Sequence, residues 1–233
     1  MNADLNSEIA KAVDEVYDSE SGTLSLGSRL RIWEAMDRAF PNNSHRRRTV
    51  LNVLTVQETV LFWWDLAFPK HLHRLPRFFL QLCYQVISGQ IDRKQCASIL
   101  RTQSVDPGEY YPDEEEPMFH DQARAASGVF AAQQAAWSAA YDEFVLNPTT
   151  HIDDSTVIHP EPDNWDAFYL SSIVAAGGSE YETTGSTTER RKFWIEWLER
   201  KVPTVCGDQT VLENVADAGY AELLRQLKQL DAV

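Results

Sequence analysis

Residues 163–203 decide the fold of this chain and read DNWDAFYLSSIVAAGGSEYETTGSTTERRKFWIEWLERKVP. The stretch opens with a helix signal that stops at Gly177-Gly178, and a second helix begins after a small polar loop. Ser186 and Glu189 have the spacing of a capping box, in which the hydroxyl accepts a backbone N–H and the carboxylate reaches back to the start of the helix. One broad face of the second helix is apolar and carries two tryptophans. We predict that this face is buried.

The predicted structural anchor consists of large side chains in this stretch: Trp165, Phe193, Trp194, Trp197 and Leu198. The stretch also carries a sequence pattern in which a W-x-A helix and a Gly-Gly turn precede a second helix. The residues of the whole pattern are Trp165, Ala167, Gly177, Gly178, Glu189, Arg190, Arg191, Phe193, Trp194, Trp197, Leu198, Val202 and Pro203. A weaker match lies upstream, at Leu75-Pro76 and Ser88-Gly89.

In these residues the chain resembles the Imm5-type immunity proteins of bacterial polymorphic toxin systems. The loop after Gly178 and the C-terminal tail are longer than is typical of that family. The resemblance implies a helical, non-enzymatic protein that binds and neutralises one toxin.

The composition is that of a globular protein, with 233 residues of which 43% are apolar and 11% aromatic. The N-terminus has neither a basic region nor an apolar run, so we expect no signal peptide. No run approaches the roughly 18 apolar residues that a membrane span needs. Cys83, Cys96 and Cys206 are odd in number and widely spaced, which indicates packed thiols in a reducing cytoplasm. We therefore expect a cytoplasmic protein.

The formal net charge of −14 is unevenly distributed along the chain. Residues 105–182 contain sixteen Asp or Glu against Arg124 alone, whereas residues 41–104 contain nine Lys or Arg against three acids. This asymmetry suggests a partner whose charge has a defined sign, and it disfavours nucleic acid as a ligand of the acidic face. The candidate partner-binding residues lie in two acidic loops: Asp113, Glu114, Glu115, Glu116, Asp153 and Asp154. The alternative is that the two halves pair within the protein and the excess charge provides solubility.

Apolar periodicity predicts an all-α, multi-helix bundle of about eight to nine helices. A helix over residues 46–68 is apolar on most sides, so we place it at the centre of the bundle. Residues 118–146 hold nine alanines, which predicts a long helix packed closely against its neighbours through small side chains. Ser28 can cap the second helix, and Pro76 is expected to begin the fourth.

The chain is predicted to form a single helical domain over residues 1–233. The acidic, proline-containing loop near 103–117 is the position where it would divide into two packed halves. The N-terminal helical half would cover residues 1–102, and the C-terminal, Imm5-like half would cover residues 118–233.

The His120-Asp121 pair is the dipeptide that marks HD phosphohydrolases, which are all-helical and bind metals through His and Asp. Such a pair arises readily by chance, and the residues after it lack the usual family continuation, so a surface helix start is the preferred interpretation. His71 and His73 could offer two metal ligands, but their basic neighbours favour an exposed turn. The acids after His151 lack the geometry of a calcium loop. We predict no catalytic residue, no metal and no cofactor.

A short basic cluster, Arg46-Arg47-Arg48, lies at a predicted helix start. Three charges would give only weak, salt-sensitive affinity for nucleic acid or a membrane headgroup. We expect a solvated helix end, with neither nucleic acid nor membrane as a partner.

The functional hypothesis is an immunity protein whose partner is a cognate toxin domain. An acidic surface is compatible with this function, because it can steer towards and block a basic toxin site. Two alternatives remain open: a metal-dependent HD-like hydrolase that uses His120 and Asp121, and a plain helical adaptor. The neighbouring gene distinguishes them, since a toxin system would place a large secreted protein with a variable C-terminal domain upstream.

Overall fold

The computed structural model describes residues 2–103, 105–110, 119–146, 166–179 and 185–231. Of these residues, 83% are helical and none forms a β-strand. The α-helices are α1 (Ala3–Asp18), α2 (Leu26–Ala39), α3 (Ser44–Ala67), α4 (Arg74–Ile87), α5 (Arg93–Gln103), α6 (Phe119–Tyr141), α7 (Glu143–Leu146), α8 (Ala167–Ala175), α9 (Thr187–Glu196), α10 (Val202–Val205) and α11 (Gln209–Asp231). Short 3₁₀ turns cover Lys70–Leu72 and Pro107–Tyr110, and a π-helical turn covers Trp197–Lys201. The predicted all-α, multi-helix bundle is confirmed.

Helices α3 and α6 pack against each other at the centre of the bundle. Near the start of α3, His45 Nε2 lies 3.1 Å from the carbonyl oxygen of Ser138, close to the end of α6. Near the end of α3, the Arg124 guanidinium carbon lies 3.3 Å from the centre of the Trp63 ring. The two helices therefore run antiparallel. The central position predicted for residues 46–68 is confirmed, because most of α3 is buried.

Small side chains bring α6 close to its neighbours. All nine alanines of residues 118–146 are buried. At Gly128, an added Cβ would lie only 2.6 Å from Val60 Cγ1, which is well inside the normal separation of two carbon atoms. The helix also packs against α4, α5 and α8. The predicted close packing through small residues is therefore confirmed.

Helices from the two sides of the predicted boundary near 103–117 pack against each other. Helix α6 follows it, yet packs against α3, α4 and α5, which all precede it. Buried side chains from before and after the boundary belong to one hydrophobic cluster. The division of residues 1–233 into two halves stays a prediction.

The start of α2 differs from the predicted one. The helix is capped by Ser25, whose Oγ accepts the Ser28 N–H at 3.2 Å. Ser28 does not serve as the cap, because it lies inside the first turn and its hydroxyl donates to the Glu15 carboxylate. That carboxylate also accepts the Ser25 N–H at 2.7 Å, so α1 and α2 are joined at this corner.

Two further helix ends differ from the prediction. Helix α4 begins at Arg74, two residues before Pro76. Pro76 is tolerated inside the first turn because the N–H groups there have no partner within the helix, so a proline loses no hydrogen bond. The helix predicted to reach residue 146 is interrupted after Tyr141, because Asp142 adopts a left-handed conformation with φ of 86°. The chain then resumes as the short helix α7. Within the described residues, no helix has both the length and the apolar character needed to cross a membrane.

Candidate functional site

The anchor stretch forms two helices that meet through a backbone contact. Helix α8 stops at the predicted glycine pair, where Gly177 has φ of 82°, a conformation that glycine adopts without strain. Helix α9 is capped by Ser186, whose Oγ accepts the Glu189 N–H at 3.3 Å. The other half of the predicted capping box is wrong, because the Ser186 N–H donates to the Ala176 carbonyl oxygen at 2.7 Å.

A π-helical turn joins α9 to α10. The Val202 N–H donates to the carbonyl oxygen of Trp197, five residues earlier, in place of the usual four. Pro203 follows directly in the first turn of α10, where it has no N–H to donate and its ring would crowd a standard helical turn. Trp197, Leu198 and Val202 are all fully buried in this wider turn.

Four residues of the predicted anchor lie in the core: Phe193, Trp194, Trp197 and Leu198. The Trp194 and Trp197 rings are 5.6 Å apart, and Trp197 is 5.0 Å from Phe168 of α8. Phe168 in turn is 6.1 Å from Trp33 of α2. Such tilted and edge-on ring pairs add to the stabilisation that burial provides. Trp165, the remaining anchor residue, lies outside the described residues.

A buried ion pair lies beside these rings. Arg29 Nε is 2.7 Å from Asp166 Oδ2, and the two side chains are 1% and 2% exposed. Asp166 also caps α8 by accepting the Tyr169 N–H at 2.8 Å. Arg29 Nη1 donates to the Leu24 carbonyl oxygen at 2.6 Å, and its guanidinium carbon is 5.5 Å from the Trp194 ring. The pair therefore fixes the position of α8 against α2 and α9.

The basic cluster at the start of α3 is largely buried. Arg47 donates to the carbonyl oxygens of Val205 and Gly207, the latter at 2.9 Å, and so satisfies carbonyl groups at the end of α10. Arg48 is 1% exposed and binds carboxylates. The expected solvated helix end is therefore wrong for Arg47 and Arg48, because both guanidinium groups have acceptors inside the protein.

Arg48 is the cation of a buried charged cluster. Its Nε lies 2.9 Å from Glu143, its Nη2 lies 2.9 Å from Asp142, and its Nη1 pairs with Asp37. Asn52 Nδ2 donates to Glu143 at 2.7 Å. Burial raises the pKa of Glu143 to about 7, against the opposing attraction of Arg48. The cluster connects α2 and α3 to the break between α6 and α7.

The residues of the hydrolase alternative are on the surface. His120 and Asp121 are exposed in the first turn of α6. In the part of the chain that the structure describes, no three His, Cys, Asp or Glu side chains are grouped so that they could hold a metal ion. His151 and the acids after it lie outside the described residues.

The three cysteines are free and buried, as predicted for packed thiols. Burial raises the pKa of Cys96 to about 11 and that of Cys206 to about 12. It also raises the pKa of Cys83 well above its ordinary value. Because the thiolate is the reactive form, none of these side chains is activated for nucleophilic chemistry.

The predicted partner-binding residues lie outside the described residues: Asp113, Glu114, Glu115, Glu116, Asp153 and Asp154. Their role stays a prediction.

Few large apolar side chains are exposed in the described part of the chain. They are Tyr17, Phe62, Leu66 and Val211, whose relative exposures are 59%, 64%, 60% and 38%. Phe62 and Leu66 lie one turn apart on α3. Tyr17 lies at the end of α1, outside the buried stripe of that helix.

Two grooves flank the exposed face of α9. One, of about 400 Å³, lies between α1 and α9 and is lined by Tyr17, Thr188, Arg191, Lys192, Ile195 and Glu196. The other, of about 290 Å³, is lined by Glu58, Thr59, Trp63, Ala175, Glu189, Lys192, Phe193, Glu196 and Lys201. The first is mostly apolar and the second mostly polar.

The surface around Tyr17 was not singled out from the sequence. The sequence contains one sign of this surface, because Tyr17 lies outside the apolar stripe of Leu5, Ile9 and Val16 and close to acidic residues at the end of the helix. Without the neighbouring helix α9, however, an exposed tyrosine gives no indication of a groove.

The family model described as Immunity protein Imm5 matches residues 9–204, from within α1 to within α10. The match therefore includes the buried anchor and both grooves. A search of curated proteins found no match to this chain.

Proposed function

The chain belongs to the Imm5 family of immunity proteins, and on that premise we propose that it binds and neutralises one cognate toxin domain. The family match over residues 9–204 is the observation that supports this function. Neutralisation requires only that the immunity protein, once bound, covers the active site or target-binding surface of the toxin. It needs no chemistry from the immunity protein.

The charge of the chain supports a toxin with a basic surface. The net charge is −14, and much of the excess lies between residues 105 and 182. An acidic surface attracts a basic partner over long range and raises the association rate. Toxins that act on nucleic acid present such basic surfaces. We propose that the loops containing residues 113–116 and 153–154 contribute to this steering.

The packing of the scaffold is compatible with tight binding. The anchor rings and the Arg29–Asp166 pair hold α2, α8 and α9 in fixed positions. A preorganised surface loses little conformational freedom when a partner binds, so more of the contact energy appears as affinity.

Growth rescue tests the proposed function. The C-terminal domain encoded by the neighbouring gene is expressed with and without this protein, and we expect growth only when both are present. The purified pair should also elute as one complex. A domain that stays toxic and forms no complex with this protein would overturn the proposal.

A matched variant separates binding from hydrolysis. His120→Ala should rescue growth as well as the parent does, because neutralisation by binding does not use this side chain. Loss of rescue by a variant that keeps its melting temperature would instead favour the hydrolase alternative.

A further inference from the structure

The groove between α1 and α9 has the composition of an interface centre. Tyr17 is 59% exposed at one side, and Ile195 is half-buried on the other. Tyrosine is among the residues that contribute most to protein–protein affinity, because it offers a large apolar ring and a polar tip at low entropic cost. An exposed tyrosine over a mostly apolar groove therefore offers a contact point to a partner.

Three exposed carboxylates lie close to Tyr17 in the sequence. Asp14 lies one turn before it on α1, Asp18 follows it directly, and Glu20 lies just beyond the helix. Among the described residues, no cation pairs with any of these three side chains. The guanidinium of Arg191 is nearby, but it donates to the carbonyl oxygens of Val16 and Ser19 at 3.2 and 2.9 Å.

Asp18, in the last turn of α1, is in an unfavourable position for the helix. The end of a helix carries a partial negative charge, so acids there are destabilising and cations are stabilising. Helix α1 has no basic residue in its last turn. Arg191 of α9 offsets this by donating to the carbonyl oxygens of Val16 and Ser19, but among the described contacts it forms no ion pair with Asp14, Asp18 or Glu20.

The other exposed apolar pair has a different electrical environment. Phe62 and Leu66 stand one and two turns beyond Glu58 on α3. Glu58 lies 3.0 Å from Lys201 and 3.1 Å from Arg200, so its charge is balanced within the protein. The charge near Phe62 and Leu66 is therefore balanced, whereas near Tyr17 the carboxylates of Asp14, Asp18 and Glu20 outnumber the cations Arg191 and Lys192 that line the groove.

We propose that the α1–α9 face, formed by Asp14, Tyr17, Asp18, Glu20 and Ile195, is the docking surface for a Lys- or Arg-bearing segment of the toxin domain. This inference rests on the proposed function. The partner's cation would lie over the Tyr17 ring, where cation–π attraction and the flanking carboxylates act together. Its aliphatic stem would fill the groove beside Ile195.

Two variants test the face through different rate constants. The triple substitution Asp14→Lys, Asp18→Lys and Glu20→Lys should lower the association rate about tenfold or more at low salt and weaken its salt dependence. Tyr17→Ala should raise the Kd about tenfold or more, mainly through faster dissociation. The probe is the purified toxin domain encoded by the neighbouring gene.

Folding is controlled within the same experiment. The three replaced side chains are exposed, so the triple variant should melt close to the parent temperature. The apolar control is Phe62→Ala with Leu66→Ala, which removes side chains as exposed as Tyr17. The charge control is Asp217→Lys on α11, which packs against α3, α4 and α10. Both controls should bind as the parent does.

The outcomes separate this inference from the proposed function. If the parent rescues growth and binds the toxin while the α1–α9 variants bind poorly, the docking surface is supported. If the parent rescues and the α1–α9 variants bind with unchanged rates, the surface is elsewhere and the immunity function stands. Loss of binding in the Phe62 and Leu66 variant alone would assign docking to α3. Failure of the parent to bind or rescue would overturn both.

Discussion

Arg48 Nε lies 2.9 Å from Glu143 Oε2, and each of the two side chains is 1% exposed. The residues are 95 positions apart in the chain, so this contact joins α3 to the segment that follows α6. Asp142, next to Glu143, also pairs with Arg48 and has the only left-handed backbone among the described non-glycine residues. Arg48 thus holds the α6–α7 break in place.

We predict that Arg48→Ala lowers the free energy of unfolding by about 3–5 kcal/mol, because it leaves buried carboxylates without their cation. Urea unfolding monitored by circular dichroism measures the change. The control is Arg46→Ala at the neighbouring position, where the side chain is half-exposed and its ion pair with Glu213 is 3.8 Å long. That variant should lose at most about 1 kcal/mol. Equal effects at the two positions would contradict the assigned role of Arg48.

Glu143 should make folding stability depend on pH. Burial raises its pKa in the folded protein to about 7, above the ordinary value of 4.5. The folded state therefore binds the proton more tightly, and the contribution of this group is fully present below pH 4.5 and is lost as the pH rises through about 7. Stability measured from pH 5 to pH 8 should decline less in Glu143→Gln than in the parent. Parallel pH profiles for the two proteins would rule this out.

Gly128 should not tolerate alanine, although alanine is normally the better residue within a helix. The added Cβ would lie 2.6 Å from Val60 Cγ1, so α3 and α6 would have to separate. We expect Gly128→Ala to destabilise by about 1–3 kcal/mol in urea unfolding. The double variant with Val60→Ala removes the clashing methyl groups, and the two substitutions should be non-additive. A Gly128→Ala protein more stable than the parent would show that the helices are not in close contact there.

Truncation of the anchor should act through stability. Trp194 and Trp197 are fully buried, and removal of a buried tryptophan typically costs about 3–5 kcal/mol. Trp194→Ala and Trp197→Ala should therefore melt well below the parent, whereas Tyr17→Ala should melt close to it. If both tryptophan variants keep the parent melting temperature yet lose toxin binding, this face is an interface and not an anchor.

Much of the fold could be predicted because its signals are local. The glycine pair that ends α8, the Ser186 cap and the alanines of α6 each need only a few neighbouring residues to be interpreted. The break at Asp142 could not be predicted in this way. It depends on Arg48, which comes from a distant helix. The residue at the break is an aspartate and not a glycine or a proline, so it gives no local sign of a helix end.

The same limit applies to the surface. Charge along the sequence indicated an acidic protein, but it could not distinguish paired from unpaired carboxylates. Glu58 is balanced by Lys201, which is remote in sequence, while Asp18 has no such cation among the described residues. The burial of Arg47 and Arg48 was missed for the same reason, because three adjacent arginines give no indication of the acceptors that folding brings to them.

The loop containing residues 113–116 should affect the rate of toxin binding rather than the stability of the fold. Exposed charges are screened over roughly 8–10 Å in physiological salt, whereas a long-range field changes association rates about 10- to 1,000-fold. Replacement of Glu114, Glu115 and Glu116 by Lys should therefore slow association and weaken its salt dependence, with the melting temperature nearly unchanged. Stopped-flow mixing at two salt concentrations measures both effects. Growth rescue with unaltered association kinetics would keep the immunity function and remove this loop from the binding surface, because a steering role requires the rate to respond to the sign of the charge.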